Sequence, residues 1–276
     1  MSWLELLLIP LGFAVGAYGT IVGAGGGFVL VPVLLLVYPN EDPVQITAIS
    51  LSVVFFNALS GSAAYARLRR IDYVTGAIFA AATIPGAIIG AYVVSDVPRN
   101  TFDLMFGLLL GGLAIYMLWG TNRRETIRPP MRGRFVMTRA MAAGEAESFR
   151  YSYNWLVGAL YSTGVGFVSS LLGIGGGVIH VPIMITLLHL PAHVAVATSH
   201  FVLVFMTGAG SGVHLLNGDL AGDNLLRAAL ISLGAIPGAQ AGARIAQKIH
   251  GAMIARLLVI ALVALSARLL YAGIVG

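Results

Sequence analysis

The sequence predicts an all-α, polytopic integral membrane protein made of two homologous helical halves. Three observations predict it: the composition, apolar runs of bilayer length, and a glycine–proline signature that occurs twice. Of 276 residues, 58% are hydrophobic and 10% charged, and the mean hydropathy is +0.90. Soluble domains carry about 25% charged residues, so the surplus apolar surface has to face lipid. The 16 Lys and Arg outnumber the 11 Asp and Glu, which gives a pI near 9.7. In a soluble chain that balance would point to nucleic acid. Here the arginines fall in short gaps between apolar runs, where they set topology instead. The lack of cysteine excludes a disulfide framework, a thiolate metal site and a catalytic Cys.

About 20 apolar residues cross the hydrocarbon core as a helix. The first run, 3–38, is nearly twice that length and contains Gly23-Ala-Gly-Gly-Gly27. Three consecutive glycines favour a break, after which about half a span remains. Glu5 stands where a signal peptide would carry basic residues, so no signal peptide is expected. The runs 44–66, 73–97 and 101–120 each fit one crossing, and together with the first they form a repeat over 1–120. Next comes the one long polar stretch, 121–154, with Arg123, Arg124, Arg128, Arg132, Arg134, Arg139 and Arg150. By the positive-inside rule it is cytoplasmic, as are Arg67, Arg69 and Arg70. The second half, 155–276, opens with another long run, 155–190, broken at Gly173-Ile-Gly-Gly-Gly177. The runs 194–216, 224–249 and 252–274 complete it.

The halves align with each other. Gly23-Ala-Gly-Gly-Gly-Phe-Val-Leu-Val-Pro32 matches Gly173-Ile-Gly-Gly-Gly-Val-Ile-His-Val-Pro182, Ser50-Leu51 matches Ser199-His200, and Ile84-Pro-Gly-Ala matches Ile236-Pro-Gly-Ala. Three matches in one order at nearly constant spacing mark a duplication. If each long run crosses once there are eight crossings and parallel halves; if each crosses twice there are five plus five and inverted halves. The second arrangement moves Arg244, Lys248 and Arg256 inside and Arg227 outside, and charge alone does not choose.

Duplicated halves with helices broken at matching places form the pattern of secondary transporters. Backbone N–H groups exposed at a break within the membrane must line a cavity or bind something. The short helices starting near Phe28 and Val178 aim their partial positive charge at the breaks, which suits an anion without any charged side chain. Valine at Gly26 or Gly176 is expected to stop transport while leaving the protein folded.

The paired Gly-x-Gly-Gly-Gly-x4-Pro elements, the Thr198-Ser199 stretch and the Ile-Pro-Gly-Ala elements resemble the sulfite exporter TauE/SafE family, also called the toluene sulfonate uptake permeases. The resemblance covers the chain outside 121–154. It implies a multi-pass secondary transporter in the plasma or inner membrane, an exporter or permease of sulfite, organosulfonates and related small anions. Where the family has a Gly-Thr-Ser-Leu type of stretch, this chain reads Ala48-Ile-Ser-Leu51 and Ala197-Thr-Ser-His200. An anion channel, or a transporter of another small organic anion, is the alternative.

The expected substrate site combines Gly25, Gly26, Gly27, Gly175, Gly176 and Gly177 with Ser50, Asn57, His180, Thr198, Ser199 and His200. Asp and Glu fall almost entirely at segment boundaries; an intramembrane carboxylate would have suggested a cation. His180 and His200 sit in apolar runs, where they contact substrate, couple protons or bond to a neighbouring helix. Glycines spaced by four, such as Gly19, Gly23 and Gly27, Gly86 and Gly90, or Gly234, Gly238 and Gly242, read as helix-packing positions. Arg268, close to the end of its run, is expected to snorkel to the surface. No Gly-x4-Gly-Lys-Ser/Thr sequence occurs, which argues against ATP-driven transport by this chain. No convergent set of catalytic residues and no metal-ligand spacing is present, so no enzyme activity, metal or cofactor is expected. The partners are a small anion, with or without coupled protons, and the lipid bilayer, with no nucleic acid; a homodimer is left open.

Overall fold

Each long apolar run is broken at its glycine cluster, with one short helix after the break. The computed structural model describes residues 3–120, 133–143, 147–249 and 251–275; most of the Arg-rich stretch, including Arg123, Arg124, Arg128 and Arg132, lies outside them. The first half comprises α1 (Trp3–Leu6), α2 (Leu8–Val22), α3 (Gly27–Val37), α4 (Pro43–Arg67), α5 (Tyr73–Val93) and α6 (Arg99–Gly120). The second comprises α7 (Trp155–Leu171), α8 (Gly177–Thr186), α9 (Ala192–Asn217), α10 (Asp223–Ala246) and α11 (Gly251–Val275). Among the described residues, four helices, α4, α5, α9 and α10, are long and apolar enough to cross a membrane. Asp72 and Asn154 start α5 and α7, each accepting two backbone N–H bonds in the first turn.

The contacts between halves show how the halves are related. Gly61 faces His200, Phe55 faces Gly208 and Leu51 faces Gly210, so α4 runs antiparallel to its repeat counterpart α9. Gly107 against Leu270 and Gly111 against Ser266 give the same result for α6 and α11. Counterpart helices that run antiparallel make the halves an inverted repeat. α2 runs parallel to α10, with Gly12 on Ile231 and Gly16 on Ala235, while α10 runs parallel to α4 through Asn57–Ala235 and Ser60–Gln240. Since α3 ends only six residues before α4 begins, α2 and α3 form a hairpin that enters the bundle and turns back. The helices α7 and α8 repeat this from the other end.

The glycines spaced by four behave as packing positions where they lie on one helix. Gly234, Gly238 and Gly242 of α10 press on the backbone of Ile9, Phe13 and Ala17, and Gly86 and Gly90 of α5 press on Thr163 and Phe167 of α7. A side chain at any of these would meet main chain, which has no rotamer to move. The spacing misleads at Gly19, Gly23 and Gly27, which straddle a break: Gly19 packs on Gly25 and Gly26 of its own hairpin, and Gly27 faces the other half.

Orientation sorts the charges. Among the described residues, Arg67, Arg69, Arg70, Arg134, Arg139, Arg150, Arg244, Lys248 and Arg256 lie toward one end, hereafter the basic end, and Arg99, Arg227 and Arg268 toward the other. The latter three are partnered. Arg99 pairs with Asp103 at 3.3 Å and donates to the Glu41 carbonyl, and Arg227 pairs with Glu41 at 2.7 Å. Arg268, half-buried, donates from its guanidinium to the Pro32 carbonyl at 3.2 Å.

The all-helical plan carries one addition. Within 121–154, β1 (Val136–Ala143) and β2 (Glu147–Asn154) form an antiparallel hairpin that leads directly into α7. It closes on the start of α5. Arg139 donates to both Asp72 carboxylate oxygens from Nε at 3.1 and 3.2 Å and from Nη2 at 2.9 Å. The Tyr151 hydroxyl donates to Oδ2 at 2.6 Å, and Tyr153 reaches the Thr75 hydroxyl at 2.6 Å. Burial pushes the Asp72 carboxyl up, but the bonds from Arg139, Thr75 and Tyr151 outweigh it and hold the group below the ordinary carboxylate value.

Candidate functional site

The two glycine breaks meet each other in the middle of the bundle. Gly26 and Gly176, with φ of 89° and 80°, precede α3 and α8 in the left-handed conformation that penalises a side chain. A Cβ added at Gly27 would lie 2.7 Å from the Gly173 and Ile174 carbonyl oxygens, and one at Gly177 would collide with the Gly23 carbonyl. Gly25 and Gly175 both abut Val54, midway along α4. The close approach is therefore backbone to backbone, which only glycine permits.

Each break is held by a serine from the opposite half. Ser50 on α4 donates to the Gly173 carbonyl at 2.7 Å, and Ser199 on α9 donates to the Gly23 carbonyl at 3.1 Å. These serines are repeat counterparts, so the two bonds are one interaction made twice across the inverted halves. Inside the first turn, the amides of Ala24 and Gly25 bond to the Gly19 carbonyl, and those of Val29 and Leu30 to the Gly26 carbonyl. The amides of Gly27 and Phe28 at the start of α3 are not part of this pattern, nor are those of Gly177 and Val178 in α8, where Ile179 and His180 bond back to Gly176. Such helix starts favour negative charge.

Hydroxyl groups surround the second break without an acceptor. Thr47, Ser169 and Ser170 are fully buried and have no hydrogen-bond partner among the described residues. Thr47 Oγ1 and Ser169 Oγ lie beside Gly173 and Gly176. A buried hydroxyl left unpaired costs about 1–3 kcal/mol, a cost that a bound acceptor would remove.

The other expected residues divide into near and distant ones. Asn57 lies beside the first hairpin, its Nδ2 donating to the Gly16 and Ala235 carbonyls at 3.0 and 3.4 Å and its Oδ1 accepting from Thr20 at 3.2 Å. His200 Nε2 is 3.3 Å from the same Thr20 hydroxyl, and its ring meets Tyr65 edge-on at 5.5 Å. Thus Asn57, Thr20 and His200 form a buried chain on the basic-end side of the breaks. Thr198 points elsewhere and accepts the Asp72 amide at 3.0 Å. His180 bonds to Ser162 at 3.1 Å and stacks on Phe79, toward α7 and α5 and away from the serine contacts.

Sequence reasoning missed Thr20, Thr47, Ser169 and Ser170. A signal existed for two of them: the offset of 150 that aligns Gly23 with Gly173, continued upstream, pairs Thr20 with Ser170. No group of three or more potential metal ligands occurs among the described residues.

The chain matches the sulfite exporter TauE/SafE family over residues 8–269. It belongs to that family. It is 32% identical over 275 residues to the "Probable membrane transporter protein YunE" of Bacillus subtilis, with 98% of each chain covered. A "Probable membrane transporter protein" of Haemophilus influenzae is 26% identical over 83% of this chain and 81% of its own length. A relative in Methanocaldococcus jannaschii, again a "Probable membrane transporter protein", is 26% identical over 79% of this chain and 76% of its own. No solved structure matches. This TauE/SafE chain is accordingly a multi-pass membrane transporter, and the paired glycine breaks are the centre of its fold.

Proposed function

We propose that this TauE/SafE transporter moves small sulfur-containing anions, sulfite or organosulfonates, by alternating access at the meeting point of the two breaks. One observation carries the reading: two helix starts converge on a place lined by unpaired hydroxyls. The carboxylates among the described residues all lie near helix ends, in connecting loops or, for Glu147, in the β-hairpin. Amide and hydroxyl donors without a carboxylate suit the oxygens of a small anion. The basic end faces the cytoplasm by the positive-inside rule.

The polar chain gives the site a direction. The repeat counterparts of Asn57, Thr20 and His200 are Met206, Ser170 and Leu51. On the basic-end side of the breaks these positions are amide, hydroxyl and imidazole; on the opposite side their counterparts are a thioether, a hydroxyl and an aliphatic group. His200 supplies the one titratable group of this chain and is the proposed link to protons.

Counterflow of labelled sulfite, methanesulfonate and acetate in proteoliposomes tests the reading. Exchange of the sulfur anions with little exchange of acetate is expected. Exchange of acetate alone, or of none of the three, contradicts the assignment.

A further inference from the structure

At the basic end, the last turns of α4 and α10 enclose a cavity of about 180 Å³, lined by Arg67, Arg244, Gln240 and Gln247 with Ala64 and Ala243 at its wall. No Asp or Glu lines it. Arg67 makes a single polar contact there, from Nη1 to Gln240 Oε1 at 3.3 Å. Gln240 is itself fixed, because its Nε2 donates to the Ser60 carbonyl at 2.7 Å and to the Ser60 hydroxyl at 3.0 Å. Its amide oxygen is thereby held toward the guanidinium, which is oriented while its charge stays uncompensated.

Two comparisons within the molecule show that this is more than a topology signal. Two of the three arginines at the opposite end, Arg99 and Arg227, pair with carboxylates and are neutralised, while Arg268 donates to the Pro32 carbonyl. Arg67 and Arg244 line an open cavity and pair with no carboxylate among the described residues. Secondly, the inverted repeat builds a corresponding α9–α5 contact at the other end. There the residues matching Arg67, Gln240 and Arg244 are Leu216, Ile88 and Tyr92. The symmetry of the fold accounts for the helix contact in both places; it does not account for two guanidinium groups in one of them.

We infer that this cavity is an oxyanion-binding vestibule, in which Arg67 and Arg244 hold a sulfur or phosphorus oxyanion, free in solution or carried on a lipid headgroup. The planar fork of arginine fits two oxygens of such a group at once, and the guanidinium groups are its donors, since the Gln240 amide nitrogen is committed to Ser60. On α4 the cavity wall at Ala64 lies about one helical turn from Gly61, which packs on His200, and Arg67 nearly two turns, so a free anion held there stands on the polar side of the breaks. The inference does not depend on which anion is transported.

The test is binding to the full-length protein, in an uncharged detergent with sulfite and phosphate at constant ionic strength, and in nanodiscs with or without phosphatidylglycerol. The variants are Arg67→Gln with Arg244→Gln, and a charge-matched control, Arg69→Gln with Arg256→Gln, which leaves the cavity intact. Saturable binding by the wild type that weakens at least tenfold in the first variant and stays within twofold in the control is expected. Binding of the soluble anions identifies a free ligand, and a dependence on phosphatidylglycerol alone identifies a headgroup; both support the vestibule. Absence of binding in every condition, or an equal loss in the control, overturns it. Should the glutamine pair fail to fold, Arg67→Lys with Arg244→Lys keeps the charge and removes the fork, and unchanged affinity there also overturns it. Failure of the transport reading would appear differently, as absent sulfite counterflow in a wild type that still binds.

Discussion

At the scale of residues, Ser50 and Ser199 are the most informative positions, since each ties the break of the other half by one hydroxyl–carbonyl bond. Alanine at either removes a bond worth about 1 kcal/mol with little change in volume. Both variants are expected to fold, and to lower sulfite counterflow by similar factors because the halves are related by symmetry. Wild-type flux in both would separate the breaks from transport. The glycine-to-valine substitution that the sequence suggests is less useful. At Gly26 a Cβ would lie 2.7 Å from Val15 on a residue with φ of 89°, so folding suffers along with any anion site. His200→Leu addresses proton coupling. Its expected effect is loss of the pH dependence of flux. An unaltered profile reduces His200 to the packing role that Leu51 fills in the other half. The glycines and serines are legible in the sequence because the repeat presents each of them twice. Asn57 is legible as a polar residue in an apolar run, but its carbonyl partners are 41 and 178 residues away, beyond any local pattern.

At the scale of elements, the hairpin between the halves clasps the base of α5. Asp72 receives Arg139, Tyr151 and Thr75 and caps its own helix, while its amide bonds to Thr198 on α9. Asp72→Asn removes the charge of a buried pair, and a loss of about 3 kcal/mol is expected. Because the folded carboxyl is held below its ordinary value, the clasp contributes fully at neutral pH. Its contribution fades as pH falls from about 4, the unfolded value, through the lower folded one. The difference in melting temperature between wild type and Asp72→Asn should therefore be large at pH 7 and shrink toward pH 3; a constant difference would rule the clasp out. Aromatic and polar residues alternate through Phe149-Arg-Tyr-Ser-Tyr153, the period of a strand. The abundance of arginine around it makes the whole stretch read as a loop. The broken helices are legible because three consecutive glycines suit no straight helix, whereas the hairpin shape of each broken pair depends on contacts with the other half.

At the scale of the whole molecule, inverted halves explain how one site serves two faces. Each break enters from its own end and each is held by the opposite half; in the proposed alternating-access mechanism, rocking one half against the other would expose the same donors to either side. The duplication is plain in the sequence but its sense is not, because the two arrangements differ by few charges. The direction of packing between α4 and α9 decides it, and direction is a property of contacts that no single stretch encodes. The sense of the repeat is also the claim most open to direct test, because the chain contains no cysteine and single cysteines can be labelled without background. Arg69→Cys follows α4, Lys248→Cys follows α10, and Asn40→Cys and Ala221→Cys mark the opposite end. With a membrane-impermeant maleimide applied from one side of intact cells or oriented vesicles, inverted halves require Arg69→Cys and Lys248→Cys to be labelled together, and Asn40→Cys and Ala221→Cys together from the other side. Labelling of Arg69→Cys and Lys248→Cys from opposite sides would mean parallel halves and would contradict the account.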